Sequence, residues 1–357
     1  MIRVAINGYG RIGRVAHRIM LQWHAEEVEV VAINAGSSTD LKGWMYLLKY
    51  DTVYGPLDDE MSVKPNEDQT KKDLLGTMTV NGKDTMVYSQ KDPTLLPWKD
   101  LNIDVVIEST GHFTTSEKMQ AHITAGAKHV VLSAPAKDDT PTYVISVNDG
   151  DFKGEAIVNN ASCTTNCITP VAKIIEEHFG IEKAMMTTIH GYTSDQKLQD
   201  GGHRDYRRAR AAGENIIPTS TGATIAAAHA LPALVDRFAG LSIRVPVPVG
   251  SLSDFTFLLK KGTTVEEINN VLEQEAKNPN YQGIVMTTHD PIVSSDIVGN
   301  SHSSIVDLSL TQVVGGNMAK VIAWYDNEYG YANRLVEMTI LVASPSPNPA
   351  AVVAPVN

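Results

Sequence analysis

The opening of the chain, VAINGYGRIG followed by a helical stretch, restricts the fold more than any other segment. Val4–Ile6 is a short apolar run, and Gly8, Gly10 and Gly13 follow it in a G-x-G-x-x-G pattern. From Arg11 to His24 apolar residues recur at helical spacing (Ile12, Val15, Ile19, Trp23), and Val28–Ile33 is a second apolar run. Strand, glycine turn, helix and strand make a βαβ opening, which implies a doubly wound parallel sheet. The glycines allow a tight turn, close approach of backbone to a pyrophosphate, and packing of helix on strand. Phosphates would then meet the free N–H groups of a helix N-terminus. A lone pattern of this kind is often a plain tight turn; with a strand before it and a helix after it, it predicts a dinucleotide site.

Further apolar runs at Val105–Ile107, Val130–Leu132, Tyr143–Val147 and Ala156–Val158 predict more buried parallel strands. The expected fold class is α/β: an N-terminal Rossmann-type doubly wound parallel sheet over residues 1–161, joined to an α+β catalytic domain over 162–327. In that second domain a helix is expected over Thr164–Phe179. Strands are expected at Ala184–Ile189, Phe255–Leu259, Ile305–Thr311 and Ala319–Trp324. Thr264 with Glu267 three residues on spells a capping box. A last amphipathic helix, about 328–342, is expected to return to the first domain. The Pro-, Ala- and Ser-rich tail, 343–357, reads as disordered.

A formal charge of −11 argues against nucleic acid or an anionic membrane as the main partner. The N-terminus carries no apolar signal-peptide core, and no uncharged apolar run approaches the roughly 18–20 residues of a membrane span. Two cysteines cannot build a disulfide framework or a four-cysteine zinc site, and their scarcity fits a reducing cytosol. The expectation is a cytoplasmic protein without a metal.

Both cysteines lie in NASCTTNC. Cys163 stands just before the expected helix, where the dipole favours a thiolate and a lowered pKa is expected; Cys167, one turn on, suits a small buried hydrophobe. His190 ends the run MMTTIH ahead of a polar loop, and a nucleophilic cysteine needs such a base. In that loop Arg207, Arg208 and Arg210, followed by Thr221 and Gly222, suit either a solvated face or a phosphate, and residue types alone leave the two open. At the end of the second strand an acid that binds the ribose 2′-hydroxyl is expected; VVAINAGSSTD has Ala35 there instead. Without that charge a 2′-phosphate is not repelled, and Ser37, Ser38 and Thr39 can donate to it; a neutral loop that still takes NAD is the competing reading.

Taken together, NGYGRIGR, SAPAKD, NASCTTNC, TTIHGYTSDQ, NIIPTSTGA, RVPVPVGSLSDFT and WYDNEYGYANR resemble the phosphorylating glyceraldehyde-3-phosphate dehydrogenases, in the family's order and over about residues 1–340. The resemblance implies Cys163 as nucleophile and His190 as its activator and oxyanion partner. It also implies cofactor contacts at Gly8, Gly10, Arg11, Ile12, Gly13, Ala35, Lys91, Ser133 and Asn327, the last on the nicotinamide carboxamide. Thr193 and Arg244 match the family's site for the substrate phosphate. Ser162, Thr164, Arg208, Thr221 and Gly222 match the region for the attacking inorganic phosphate. The implied partners are glyceraldehyde 3-phosphate and inorganic phosphate, and the implied assembly is a homotetramer.

The chain departs from the family pattern at Ala35 (usually Asp), at Lys91 (usually Arg) and at Gly201 and Gly202, where NAD-preferring members tend to carry Leu-Pro. The first and third departures lean toward tolerating NADP, so NAD(P) is expected, with NADP at least competitive. Erythrose-4-phosphate dehydrogenase is the nearest alternative, against which Thr193 counts. A dinucleotide-sensing protein without catalysis is the other, against which the intact pair Cys163 and His190 counts.

Overall fold

The computed structural model describes residues 1–344. They form two compact units: Met1–Tyr143 with Asp151–Ala161 and the described residues from Leu335 on, and Val144–Gly150 with Ser162–Arg334.

The first unit opens as a βαβ element: β1 (Ile2–Asn7), α1 (Arg11–Trp23) and β2 (Val28–Asn34), with β1 and β2 parallel. Helix α2 (Leu41–Lys49) leads to a small ladder of β3 (Tyr50–Asp51) and β4 (Gly55–Pro56). There follow β5 (Met61–Pro65), β6 (Leu74–Val80), β7 (Lys83–Tyr88), β8 (Val105–Glu108), α3 (Ser116–Thr124), β9 (His129–Leu132) and β10 (Ile157–Asn159). The sheet runs β10-β9-β8-β1-β2-β7-β6-β5, parallel from β10 to β7 and antiparallel beyond. Its central strands are buried on both faces, as continuous apolar runs require. Ala5, Val106 and Val130 pack with Trp98, Ile103 and Met119 in one fully buried cluster, each large side chain contributing roughly 1.5–3 kcal/mol.

One expected strand is absent. Tyr143–Val147 is apolar because it is buried, but its chain turns, with Val147 N–H and Asn148 N–H both donating to Val144 O and Ser146 at φ 71°. The sixth parallel strand is β7 instead. It enters through a hairpin whose turn residues, Asn81 (φ 49°) and Gly82 (φ 77°), both adopt the left-handed conformation that a two-residue turn of the right twist demands.

The second unit begins with α4 (Cys163–Phe179) and β11 (Ile181–Gly191), followed by β12 (Ile217–Ser220), α5 (Ala223–Ala230), β13 (Phe238–Val245) and β14 (Ser251–Leu259). Then come α6 (Val265–Ala276), β15 (Val285–Thr288), β16 (Ser304–Asp307), β17 (Gln312–Val314) and β18 (Met318–Tyr325). The mixed sheet runs β12-β13-β11-β14-β18-β16-β15, with β17 on β18. Burial alternates strictly along β14, so Phe255, Phe257 and Leu259 face the core while their neighbours do not. The run expected as one strand over Ile305–Thr311 stops at Asp307, whose side chain caps a short 3-10 turn. Thr264 and Glu267 do form the reciprocal capping box of α6.

Helix α7 (Tyr329–Ala343) closes the described chain. Ala343, expected to open the tail, is the last residue of α7, and residues 345–357 of the expected tail lie outside the described residues.

Candidate active site

Cys163 is the first residue of α4. Ser162 caps that helix, its hydroxyl accepting from Thr165 N–H at 3.1 Å, as serine at this position does. The chain arrives through Ala161, held at φ 53° in a conformation unusual for a residue with a Cβ. The cap and this bend set the thiol in the first helical turn.

His190 lies near the end of β11, and its Nε2 stands 3.4 Å from Cys163 Sγ. Its Nδ1 lies 2.6 Å from an acceptor, Gly191 O, and 2.9 Å from a donor, Arg244 Nη1; the tautomer with the hydrogen on Nδ1 satisfies the shorter contact and turns a lone pair on Nε2 toward the thiol. Parallel pairing of β11 with β13 puts Arg244 beside His190, Nη1 lying 2.9 Å from Nδ1 and donating to Gly191 O at 3.2 Å. Burial first, and then the Arg244 charge, pull His190 down to about 3, so the imidazole is neutral.

The lowered thiol pKa expected from the helix N-terminus is not what the structure gives. Burial raises the Cys163 thiol above its ordinary value, against the opposing pull of Arg244 and of the hydrogen bonds at Thr164. Desolvation of the thiolate outweighs the favourable field. Cys167 is fully buried and pushed up to about 12 by the same effect.

Tyr325, at the end of β18, escaped the sequence reading of single residues, although it stands within the quoted WYDNEYGYANR. Its hydroxyl joins Thr164 Oγ1 (2.9 Å) to Thr188 Oγ1 (2.8 Å), and its ring meets His190 edge-on. Thr188 donates to Leu252 O, so Tyr325 must donate to Thr188 and accept from Thr164. The Thr164 hydroxyl is thus turned to Tyr325, and the hydrogen bonds of Thr164 also reach the Cys163 sulfur.

The other expected anion contacts divide. Arg244 is largely buried and its Nε has no hydrogen-bond partner, an opening that an acceptor-rich group fits. Thr193 begins a turn, its N–H donating to Gln196 Oε1. Arg208, by contrast, is already engaged: it donates to Asp195 (2.7 Å), Thr219 Oγ1 (2.9 Å) and Ser220 O (3.2 Å). An incoming phosphate would have to compete with Asp195 for it. Thr221 Oγ1 accepts from Ala223 N–H, and Gly222 caps α5 with no side-chain bond and open space where a Cβ would stand. Asn327 Oδ1 accepts from Gly250 N–H and Ser251 Oγ, and that same Oγ accepts from Gly191 N–H. Asn327 is thereby tied to the end of the strand that carries His190, with its Nδ2 donors left to present.

In the first unit the glycine turn has the shape a pyrophosphate needs. A Cβ on Gly8 (φ 95°) would come within 2.6 Å of Thr110 N, and one on Gly13 within 2.4 Å of Gly8 O. A Cβ on Gly10 would meet nothing within 4 Å, and no side chain caps α1 there. The N-terminus of α1 is therefore open over Gly10, as a pyrophosphate at a helix N-terminus needs, and this chain fits the dinucleotide. Arg11 and Ile12 open the helix; Arg11 is held by Asp51 at 2.5 Å. Ala35 follows β2 and donates to Tyr88 O, Lys91 is exposed beyond β7, and Ser133 N–H donates to Glu108 O beyond β9. Ser38 Oγ accepts from Trp44 Nε1 (2.9 Å) and Asp40 N (3.4 Å), which leaves its own proton to donate. No cluster of three metal-ligating side chains exists among the described residues.

Residues 2–116 match the family described as "Glyceraldehyde 3-phosphate dehydrogenase, NAD binding domain", and residues 162–327 the family described as "Glyceraldehyde 3-phosphate dehydrogenase, C-terminal domain". Among curated proteins the chain is 46% identical to glyceraldehyde-3-phosphate dehydrogenase 2 of Streptomyces avermitilis, over 96% of this chain and 99% of that one. It is 48% identical to the glyceraldehyde-3-phosphate dehydrogenase of Clostridium pasteurianum, over 94% and 97%. With glyceraldehyde-3-phosphate dehydrogenase 2 of Bacillus subtilis it shares 45% identity over 98% and 99%.

Proposed function

The chain belongs to the glyceraldehyde-3-phosphate dehydrogenase family, and from that premise we propose how its residues divide the work of oxidising glyceraldehyde 3-phosphate. The observation that carries the reading is the pair Cys163 and His190, sulfur and ring nitrogen 3.4 Å apart, with the buried, partly unpartnered Arg244 against the histidine. Neutral His190 takes the thiol proton as Cys163 adds to the aldehyde carbon, and its imidazolium then donates Nε2–H to the hemithioacetal oxygen. Arg244 and Thr193 hold the substrate's own phosphate and orient the aldehyde. Asn327 orients the nicotinamide through its Nδ2, while the turn at Gly8, Gly10 and Gly13 with Arg11 and Ile12 holds the pyrophosphate, and Ala35, Lys91 and Ser133 line the remaining cofactor edge. A bound nicotinamide dinucleotide would supply the two-electron acceptor, taking hydride from the hemithioacetal carbon while the hydroxyl proton returns to His190, so that Cys163 is left as a thioester. Ser162, the Thr164 N–H, Thr221 and Gly222, with Arg208 once Asp195 yields, receive the inorganic phosphate that displaces it as an acyl phosphate.

Cys163→Ser is expected to abolish phosphate-dependent turnover and keep dinucleotide binding, because an alcohol does not ionise near neutral pH. A Cys163→Ser enzyme with near-native turnover would overturn the covalent route. His190→Asn is expected to lower turnover by roughly two to four orders of magnitude.

The family's first domain binds NAD, and the uncharged edge formed by Ala35 and the free donor of Ser38 favour acceptance of NADP as well. NADP is expected to be at least competitive, and Ala35→Asp to shift preference toward NAD by about 1–3 kcal/mol. A wild-type kcat/KM already about a hundredfold in favour of NAD is the outcome against it. Leu198, Tyr206 and Ile216 are 88%, 86% and 71% exposed on the segment after His190, which supports a homotetramer; a monomeric mass in light scattering is the contrary result. No helix among the described residues is long and apolar enough to cross a membrane, and the scarce cysteines support a cytoplasmic setting.

A further inference from the structure

Glu108 is fully buried at the end of β8, in register with Asn7 of β1. Four donors meet its carboxylate: Asn7 Nδ2 (2.5 Å) and His122 Nε2 (3.1 Å) on one oxygen, Thr110 N (2.8 Å) and Thr110 Oγ1 (2.5 Å) on the other. His122 has no choice of tautomer. Trp98 Nε1–H donates to its Nδ1 at 3.0 Å, so the ring hydrogen is on Nε2 and points at Glu108. On the other side Asn7 Oδ1 accepts from Asn34 Nδ2 (2.7 Å), and Asn34 closes both backbone groups of Gln90, donating to its O (2.8 Å) and accepting from its N (3.0 Å).

The hydrogen bonds thus form one continuous chain linking Trp98, His122, Glu108, Asn7, Asn34 and Gln90, with donors converging on Glu108 from both sides, laid across the C-terminal ends of β8, β1 and β2 and the segment leaving β7. In an open parallel sheet this is the edge along which ligands bind. Each outward neighbour of the chain is a residue assigned above to the dinucleotide: Gly8 follows Asn7, Ala35 follows Asn34, and Lys91 follows Gln90. Thr110, bonded twice to Glu108, supplies the backbone N–H against which Gly8 is packed. A core that needed only stability would be served as well by apolar side chains of similar volume. A carboxylate with four directed donors fixes orientations that apolar packing leaves free.

We propose that Glu108 is the positioning residue of the dinucleotide site, setting the glycine turn and, through Asn7 and Asn34, the ribose-side loop and the Gln90–Lys91 segment. The proposal rests on the assignment of the glycine turn to a dinucleotide. In Glu108→Gln one oxygen becomes an NH2 group facing a donor, either at Asn7 and His122 or at Thr110. Calorimetric titration with NAD, each protein held well below its own melting temperature, is expected to show binding about tenfold weaker or worse, on the scale of one buried hydrogen bond. The NAD KM should rise in parallel, with kcat at saturating NAD within about threefold of wild type, the signature of lost uniform binding. Alkylation of Cys163 by iodoacetamide in the dinucleotide-free protein should be unchanged. Asn34→Ala, which leaves the four donors on Glu108 in place, removes the support of Asn7 Oδ1 and releases Gln90, should also weaken NAD, and it carries the test where Glu108→Gln does not fold. A variant that melts lower but binds NAD as wild type overturns the proposal, for the chain then serves the core alone. Wild-type protein that fails to bind NAD removes the site itself and the proposal with it, a result distinct from the first.

Discussion

Desolvation and one guanidinium govern the reacting pair: both act to keep His190 neutral, and burial keeps the thiol protonated despite the positive charge nearby. The resting site is therefore a thiol facing a lone pair, ready to pass a proton within 3.4 Å. What holds that distance is the bridge from Thr164 to Thr188 through Tyr325. Tyr325→Phe leaves two buried hydroxyls short of a partner and is expected to lower stability by about 1–3 kcal/mol, and turnover with it. Urea midpoints and kcat measured together check this; a variant unchanged in both removes Tyr325 from the site. Arg244→Leu should raise KM and lower kcat on glyceraldehyde 3-phosphate, because remote binding orients the aldehyde; equal activity on unphosphorylated glyceraldehyde would refute the role. Residue types in NASCTTNC singled out Cys163, since few other contexts set a cysteine among hydroxyls at a helix start, and the end of MMTTIH put forward His190; the structure brings the two within 3.4 Å. The hydroxyl direction at Thr164 and the engagement of Arg208 by Asp195 were not legible, because each depends on partners brought together from distant strands.

Among elements, strongly periodic segments declared themselves: α1, α4 and the central strands appear where apolar spacing put them. Tyr143–Val147 misled because a buried turn and a buried strand share an apolar composition. The hairpin of β6 and β7 carried the opposite lesson, for its Asn81-Gly82 turn was the visible mark of a pair that composition alone concealed. Gly82→Ala, with φ 77° to maintain, should lower stability by roughly 1 kcal/mol. Thr264→Ala removes one half of the α6 capping box and should lower stability by about 0.5–2 kcal/mol while leaving turnover unchanged. A thermal melt of each variant decides; no loss on Thr264→Ala would mean that the N–H groups of α6 find water instead.

At the scale of the molecule, buried histidines set the response to acid. His17 and His190 are pulled down to about 3 and His302 to about 4, in each case by burial first. Unfolded, they titrate near the ordinary histidine value of 6.5, so between that pH and their folded values the unfolded chain binds protons that the folded one refuses. Stability is thus fully present above about pH 6.5 and falls below it, by up to about 1.4 kcal/mol per pH unit for each histidine. His17 acts on the first unit, His190 and His302 on the second. Urea midpoints at pH 7.5 and 5.5 test it, and equal midpoints would contradict it. The two cysteines of the chain have a different consequence. Cys167 is sealed in and protonated far above neutrality, so a soft electrophile meets one sulfhydryl per chain. Counting adducts by mass spectrometry then becomes a census of working centres: one label per intact polypeptide, none where Cys163 is already spent, and two where unfolding has released Cys167.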